Sequence, residues 1–321
     1  MSVSARSAMV FAKIQPTSVY VDAVVANAWM EASNVSLTAL DADNVTLDLA
    51  GISFGSGLTY LSNLKTKLSF SVALAGSGTA GTAPAWGVME RICGYAEIIT
   101  AASNVKYIPA AGGFEMGSVA VFIGDTLHRM RSVRGTSKLE MSVDGFLMRT
   151  YEIEGMYVDA IEGTAAQKTI RDGVKIKPRI DPLICSATNT SFSMYGLSTC
   201  LKSMSLDTGN SVKTTNFIGP EACLETDILD RKSTGECELK TVPLANKDWF
   251  ATLKTGAVGK ITATLGSIAG NKIGILCPRV QITKHAYGEV DGLRTDKLSL
   301  NLLPDLNEGD TITSEITLTV S

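Results

Sequence analysis

Apolar and polar residues take turns along much of this chain, and that period of two decides what it can fold into. In Lys67–Leu74 the apolar residues Leu68, Phe70, Val72 and Leu74 share one face, while Lys67, Ser69 and Ser71 point the other way. Near the C-terminus Ile312, Ile316, Leu318 and Val320 oppose Thr311, Thr313, Glu315, Thr317 and Thr319, and Lys297–Leu302 alternates likewise. Such a period belongs to half-buried antiparallel strands, one face on a core and the other on water or a partner. Frequent Thr, Val and Ile, with Gly-containing breaks between runs, extend the expectation to a mainly β frame.

Two short segments read as helix. In Pro84–Cys93, proline suits the first turn, Trp86, Met89 and Ile92 recur at helical spacing, and Gly94 fits a left-handed stop. In Lys247–Thr255, Asn246 is the expected N-cap, Trp249, Phe250 and Leu253 form an apolar stripe, and Gly256 ends it. Each helix is expected to lie across a sheet and cover its apolar face.

The helices expose a weak repeat. Ser71–Ala75 precedes the first as Thr241–Ala245 precedes the second, and Val35-Ser36-Leu37-Thr38 corresponds to Met204-Ser205-Leu206-Asp207. The expected organisation is two related antiparallel β-sandwich or barrel domains, 1–160 and 195–321, each with one short flanking α-helix, joined by a linker over 161–194. A length of 321 residues suits two domains.

Composition narrows the chemistry. With 45% hydrophobic and 19% charged residues the chain can build a core. A net charge of −3 argues against uniform binding to nucleic acid, which needs a clustered basic surface. Two histidines leave little for His-based catalysis or a His-rich metal site. Cys93, Cys185, Cys200, Cys223, Cys237 and Cys277 are scattered, with no C-x-x-C pair, and read as reduced, mostly buried thiols. The apolar stretch Ala8–Ile14 is too short for an export signal, and no run is long enough for a membrane helix.

Two strings mimic catalytic motifs. Gly76-Ser77-Gly78-Thr79-Ala80-Gly81 matches G-x-G-x-x-G, but its preceding strand alternates and the helix starts beyond the glycines, so a loop is expected. Gly51-Ile52-Ser53-Phe54-Gly55 matches the G-x-S-x-G elbow, yet no helix follows, so a Gly-rich hairpin tip is expected. Arg129, Arg131 and Arg134, with Lys138 nearby, are expected to pair with acidic residues of a neighbouring subunit. No catalytic, cofactor or metal residues are assigned, and the chain is read as a non-enzyme.

Several stretches together resemble the major tail tube proteins of bacteriophages with long, non-contractile tails. They are Leu74–Gly87 with its Gly-Thr-Ala-Pro loop, Ile92-Cys93-Gly94-Tyr95-Ala96-Glu97, Tyr107-Ile108-Pro109, His128, Arg134-Gly135-Thr136 and Gly155–Val158. In the second half Asp230–Gly235, Lys247–Phe250 and Ala286–Gly292 look like the same family, and the resemblance is weakest over Thr164–Asn189.

The resemblance implies tail-tube-type domains whose strands close into a ring, with rings stacked into a hollow tube for DNA ejection. Trimeric rings with pseudo-sixfold symmetry are favoured over hexamers. Implied partners are further copies, the tape measure, tail terminator and baseplate proteins, and double-stranded DNA that passes without specific binding. No membrane is involved; the protein is made in the host cytoplasm and resides in the virion. Expected ring-stacking residues are Leu49, Gly51, Phe54, Gly57, Tyr60, Leu61, Ile218, Leu224, Ile228 and Leu229. Glu152, Glu154, Glu236 and Glu238 are candidates for the lumen wall, and Trp86, Met89, Ile92, Trp249, Phe250 and Leu253 for helix packing. The competing reading is a carbohydrate-binding or adhesin-type β-sandwich.

Overall fold

The computed structural model describes residues 8–26, 28–47, 57–174, 180–217, 224–305 and 314–321. In chain order its elements are β1 (Ala8–Gln15), β2 (Trp29–Met30), β3 (Ala32–Leu47), β4 (Leu58–Ala73), α1 (Gly87–Ile92), β5 (Tyr95–Thr100), β6 (Asn104–Pro109), β7 (Met116–Ile123), β8 (Thr126–Ser142), β9 (Met148–Glu162) and α2 (Ala165–Val174). There follow β10 (Thr190–Met194), β11 (Leu197–Ser198), β12 (Leu201–Asp207), β13 (Asn210–Asn216), β14 (Leu224–Arg231), β15 (Thr234–Lys240), α3 (Trp249–Thr255), β16 (Val258–Ile268), β17 (Asn271–Val290), β18 (Leu293–Leu302) and β19 (Thr317–Val320). The fold is mainly β, and every strand pairing is antiparallel.

The same pairing order occurs twice. In the first half the strands run β3-β4-β9-β8-β7-β1-β2. In the second they run β12-β15-β18-β17-β16-β10-β11. The helices α1 and α3 sit at corresponding points, after β4 and after β15. Long strands turn from one layer to the next through bulges, as strands that switch sheets do. β8 shifts register against β9 between Arg131 and Arg134, and β17 shifts against β18 between Ile282 and Lys284.

The two halves share a sheet and a core. β12 pairs with the end of β8, and β19 pairs with β6. One apolar cluster runs from Val10, Phe70 and Ile92 through Met204 and Leu239 to Leu300 and Leu318. The alternating faces read from the sequence supply it: Leu68, Phe70, Val72 and Leu74 are all buried, as are Leu298, Leu300 and Leu302. Ile312 lies outside the described residues.

The helices differ in detail from the sequence reading. α1 begins at Gly87 because Gly87 N–H and Met89 N–H bond back three residues, to Pro84 and Trp86 carbonyls, making turns before the helix. α3 is capped by Asp248, not Asn246: the Asp248 carboxylate accepts from Ala251 N–H at 2.8 Å, while Asn246 and Lys247 N–H close a separate turn on Pro243. Gly94 and Gly256 do adopt the left-handed conformation, φ +84° and +64°. A third helix, α2, lies in the stretch read as a linker. Thr164 and Gln167 form its capping box, with Thr164 N–H to Gln167 Oε1 at 3.0 Å and Gln167 N–H to Thr164 Oγ1 at 3.3 Å. Its Ile170 packs on a small cluster around Phe11, Phe122 and Leu127.

Of the helix-packing residues, Trp86, Met89, Ile92 and Trp249 are buried and Leu253 is half-buried. Phe250 is not: it is 48% exposed, and its ring lies on His285 and Tyr287, because the sheet beneath α3 ends there in an open strand.

Candidate functional site

The β8–β12 junction fuses the inner strands of both halves into one eight-stranded antiparallel sheet, β3-β4-β9-β8-β12-β15-β18-β17. One face carries Leu68, Phe70, Tyr151, Leu139, Met204, Leu206, Cys237, Leu298 and Leu300 into the core. The other is mainly polar, with Met148 of β9 and Ala73 of β4 as apolar positions beside Glu140. Over the five strands from β8 to β17 one row reads Glu140, Ser205, Glu236, Ser299, Lys284. A shallow groove of about 590 Å³ follows this row.

All four candidate glutamates project from the polar face. Glu152 lies opposite Ser69 and Thr136, and Glu154 opposite Lys67 and Arg134. Glu236 lies opposite Ser205 and Ser299, and Glu238 opposite Ser203 and Lys297. Their surroundings differ. Glu152 and Glu236 are exposed. Burial works against ionised Glu238, but Thr295 donating at 2.6 Å and Lys202 Nζ at 3.4 Å outweigh it and lower the carboxyl pKa. Glu154 is half covered by β13, whose Thr214 hydroxyl donates to it. Elsewhere on the face charges alternate in sign: Lys67 meets Asp41 at 2.7 Å and Lys138 meets Glu140 at 2.7 Å. Exposed pairs of this kind add little stability, and they do leave a face without a one-sign field.

The sheet has two open edges. Among the described residues β3 pairs only with β4, and the Lys284–Val290 end of β17 pairs only with β18. Unpaired backbone donors and acceptors along such edges are templates for another strand.

The two arms beyond the sheet are unequal. In the second half β13 and β14 form a hairpin folded onto β8 and β9 of the first half. Arg134 pins it, bonding the Thr226 carbonyl and the Asp227 carboxylate. The arginine cluster thus finds partners within its own chain, where a neighbouring subunit was expected: Arg131 donates to the Ser18 carbonyl and Arg129 to the Asp159 carbonyl. Ile228 is buried, its side chain near Gly94 and Phe114 turned toward the same packing, while Leu224 is half-buried and Leu229 exposed. In the first half the outer parts of β3 and β4 stand clear, with Leu58, Tyr60 and Leu61 73%, 59% and 56% exposed beside half-buried Gly57. Leu49, Gly51, Phe54 and Ile218 lie outside the described residues, as do Ser53 and Cys223.

The G-x-G-x-x-G string works as a packing loop. Gly76 N–H donates to Asn271 Oδ1 at 2.7 Å and Gly78 N–H to the Gly270 carbonyl at 3.0 Å. A Cβ on Gly76 would sit 1.9 Å from the Gly270 oxygen, so this close approach of the two halves requires glycine. The five described cysteines are free thiols, with Cys93, Cys185, Cys237 and Cys277 buried and Cys200 exposed. Burial pushes the Cys237 and Cys277 thiols up to about 12.

Sequence reasoning missed a buried ionic network beneath α1. Glu90 and Arg149 are fully buried and bonded twice, Nε–Oε1 at 2.8 Å and Nη2–Oε2 at 2.7 Å. Tyr151 donates to Glu90 at 2.8 Å, Arg149 donates to the Tyr95 hydroxyl at 3.0 Å, and Tyr95 meets Thr208 of the second half at 2.9 Å. The network ties helix, sheet and both halves together. Among the described residues no helix is long and apolar enough to cross a membrane, and no three His, Cys, Asp or Glu side chains group as a metal site. No protein-family model matches the chain, and no curated protein matches it.

Proposed function

We propose that this chain is a structural virion protein whose copies close into rings that stack as the hollow tail tube of a long-tailed phage, the conduit for DNA ejection. The observation that carries the reading is the eight-stranded sheet: apolar on one face, mainly polar on the other, and open at both edges among the described residues. A sheet of this kind removes its edges by closing on further copies of itself. The repeated pairing order makes each chain two equivalent units, so three chains give a ring with pseudo-sixfold symmetry. Three such sheets in one barrel, with strands about 4.8 Å apart and tilted about 40°, have a backbone diameter of roughly 45–50 Å. That leaves room for duplex DNA after side chains are placed.

In this arrangement the polar face lines the lumen, with Glu152 and Glu236 exposed to it. Mixed charges and a net charge of −3 suit a duplex that must slide, since each basic phosphate contact adds salt-sensitive affinity. Tyr60 and Leu61 on the free arm, with Leu229 and Phe217 on the folded one, are apolar surfaces offered to the next ring. Ile228, buried within its own chain, serves the fold of the arm instead. Tape measure, terminator and baseplate proteins are the further partners, and the virion tail is the location. Electron microscopy of purified protein tests the reading: rings or tubes with a central hole support it, and isolated particles the size of one chain under all assembly conditions reject it.

A further inference from the structure

We infer that copies join with β3 of one chain against the Lys284–Val290 end of β17 of the next, in the register that β12 and β8 already use within each chain. The inference rests on the ring reading above and specifies its seam.

The repeat supplies the template. Leu37 lies in a row with Leu68, Ile153 and Gly135, and Leu206 lies in the matching row with Gly235, Leu300 and Ile282. β3 therefore stands in the first half where β12 stands in the second, and β17 stands where β8 does. Within the chain, β12 covers the end of β8 with Leu206 opposite Leu139, Ser205 opposite Glu140 and Asp207 opposite Lys138. Leu139 pairs with Arg149 on β9, and Tyr287 holds the equivalent place opposite Asp296 on β18. Carried across the repeat, the register sets Leu37 opposite Tyr287, Ser36 opposite Gly288 and Thr38 opposite Ala286 of the next copy.

Burial agrees with a missing neighbour at these positions. At the internal junction Leu206 and Leu139 are 0% and 1% exposed. At the open edges Leu37 is only half-buried and Tyr287 is 53% exposed. Joining them covers Tyr287, Leu37 and the outer side of the Phe250–His285–Tyr287 cluster. On the polar side, small Ala286 and Gly288 meet Thr38 and Ser36, a row with neither bulk nor like charges in conflict.

The test is crosslinking in the full chain carrying Cys200→Ser, which removes the one exposed thiol among the described residues, and Cys223→Ser. Thr38→Cys with Ala286→Cys, oxidised after assembly, is expected to give a ladder of joined chains ending at three. Thr38→Cys with Val290→Cys, four residues further along and about 13 Å displaced, is expected to give at least tenfold less product. Crosslinking of Thr38→Cys alone into dimers means β3 meets β3 and overturns the seam. A crosslink confined within one chain overturns both the seam and the ring. Should the double variant fail to fold, hydrogen exchange on the unmodified protein decides. Within Ser36–Thr38 and Ala286–Gly288, the amides that point away from β4 and β18, every second one, are expected to slow more than tenfold in rings, and rings with unchanged exchange at all of these positions overturn the seam while leaving the ring reading intact. Absence of any assembly rejects the ring reading itself.

Discussion

Glu90 and Arg149 show how much of this fold depends on single side chains. Each charge is wholly removed from water, and each is held by the other together with Tyr95 or Tyr151. Removing one partner of such a pair leaves an unpaired buried charge, which costs about 3–5 kcal/mol. Glu90→Gln is therefore expected to lower unfolding stability by about that much in urea titration; a change below about 1 kcal/mol contradicts the account. His128 sets a pH dependence of opposite visibility. Burial lowers its pKa below 6.5, so the unfolded chain takes up the proton first. Its contribution to stability is full above pH ~6.5 and declines as pH falls through that value toward the folded pKa. Stability measured from pH 7.5 to 5.5 is expected to fall less steeply in His128→Gln than in the native chain, and identical slopes contradict this. None of the ionic network was legible in the sequence. Glu90 and Arg149 are 59 positions apart, and only the tertiary fold brings the two side chains together.

Strands were the legible elements, because alternation states directly which face is buried, and Phe70, Leu298 and Leu300 lie as their alternation requires. The helix stops at Gly94 and Gly256 were legible for a similar reason: a left-handed residue needs no distant partner. The start of α3 was harder, since Asn246 and Asp248 are both good caps and only a turn on Pro243 decides between them. α2 was missed although Thr164-Ala165-Ala166-Gln167 spells a capping box, because prolines at 178 and 182 and the place between two repeats read as linker. The arms diverge for a reason outside either repeat. β13–β14 finds Arg134 and Glu154 of the first half to rest on, whereas the described outer part of the β3–β4 arm stays exposed at Leu58, Tyr60 and Leu61. If its apolar end serves ring stacking, Tyr60→Ser with Leu61→Ser is expected to leave soluble, folded rings and to abolish tubes by electron microscopy. Normal tube lengths from that variant contradict the role.

At the scale of the molecule, two copies of one pairing order are merged by β8–β12 and β6–β19 into a unit whose main core is shared by both halves. The internal junction satisfies one pair of sheet edges, and among the described residues the matching pair has no outer neighbour. Which edges stay open was not legible in the sequence, because a strand's outer neighbour is set by topology and not by its own residues. Activity in this account is shape: a polar face, curved and closed by further copies. The most direct measurement is the native mass of the smallest assembled ring, taken with an image of its symmetry. Three chains showing six equivalent lobes around one open lumen are expected. A stable single chain at all concentrations, with β3 and β17 paired to each other inside it, contradicts this.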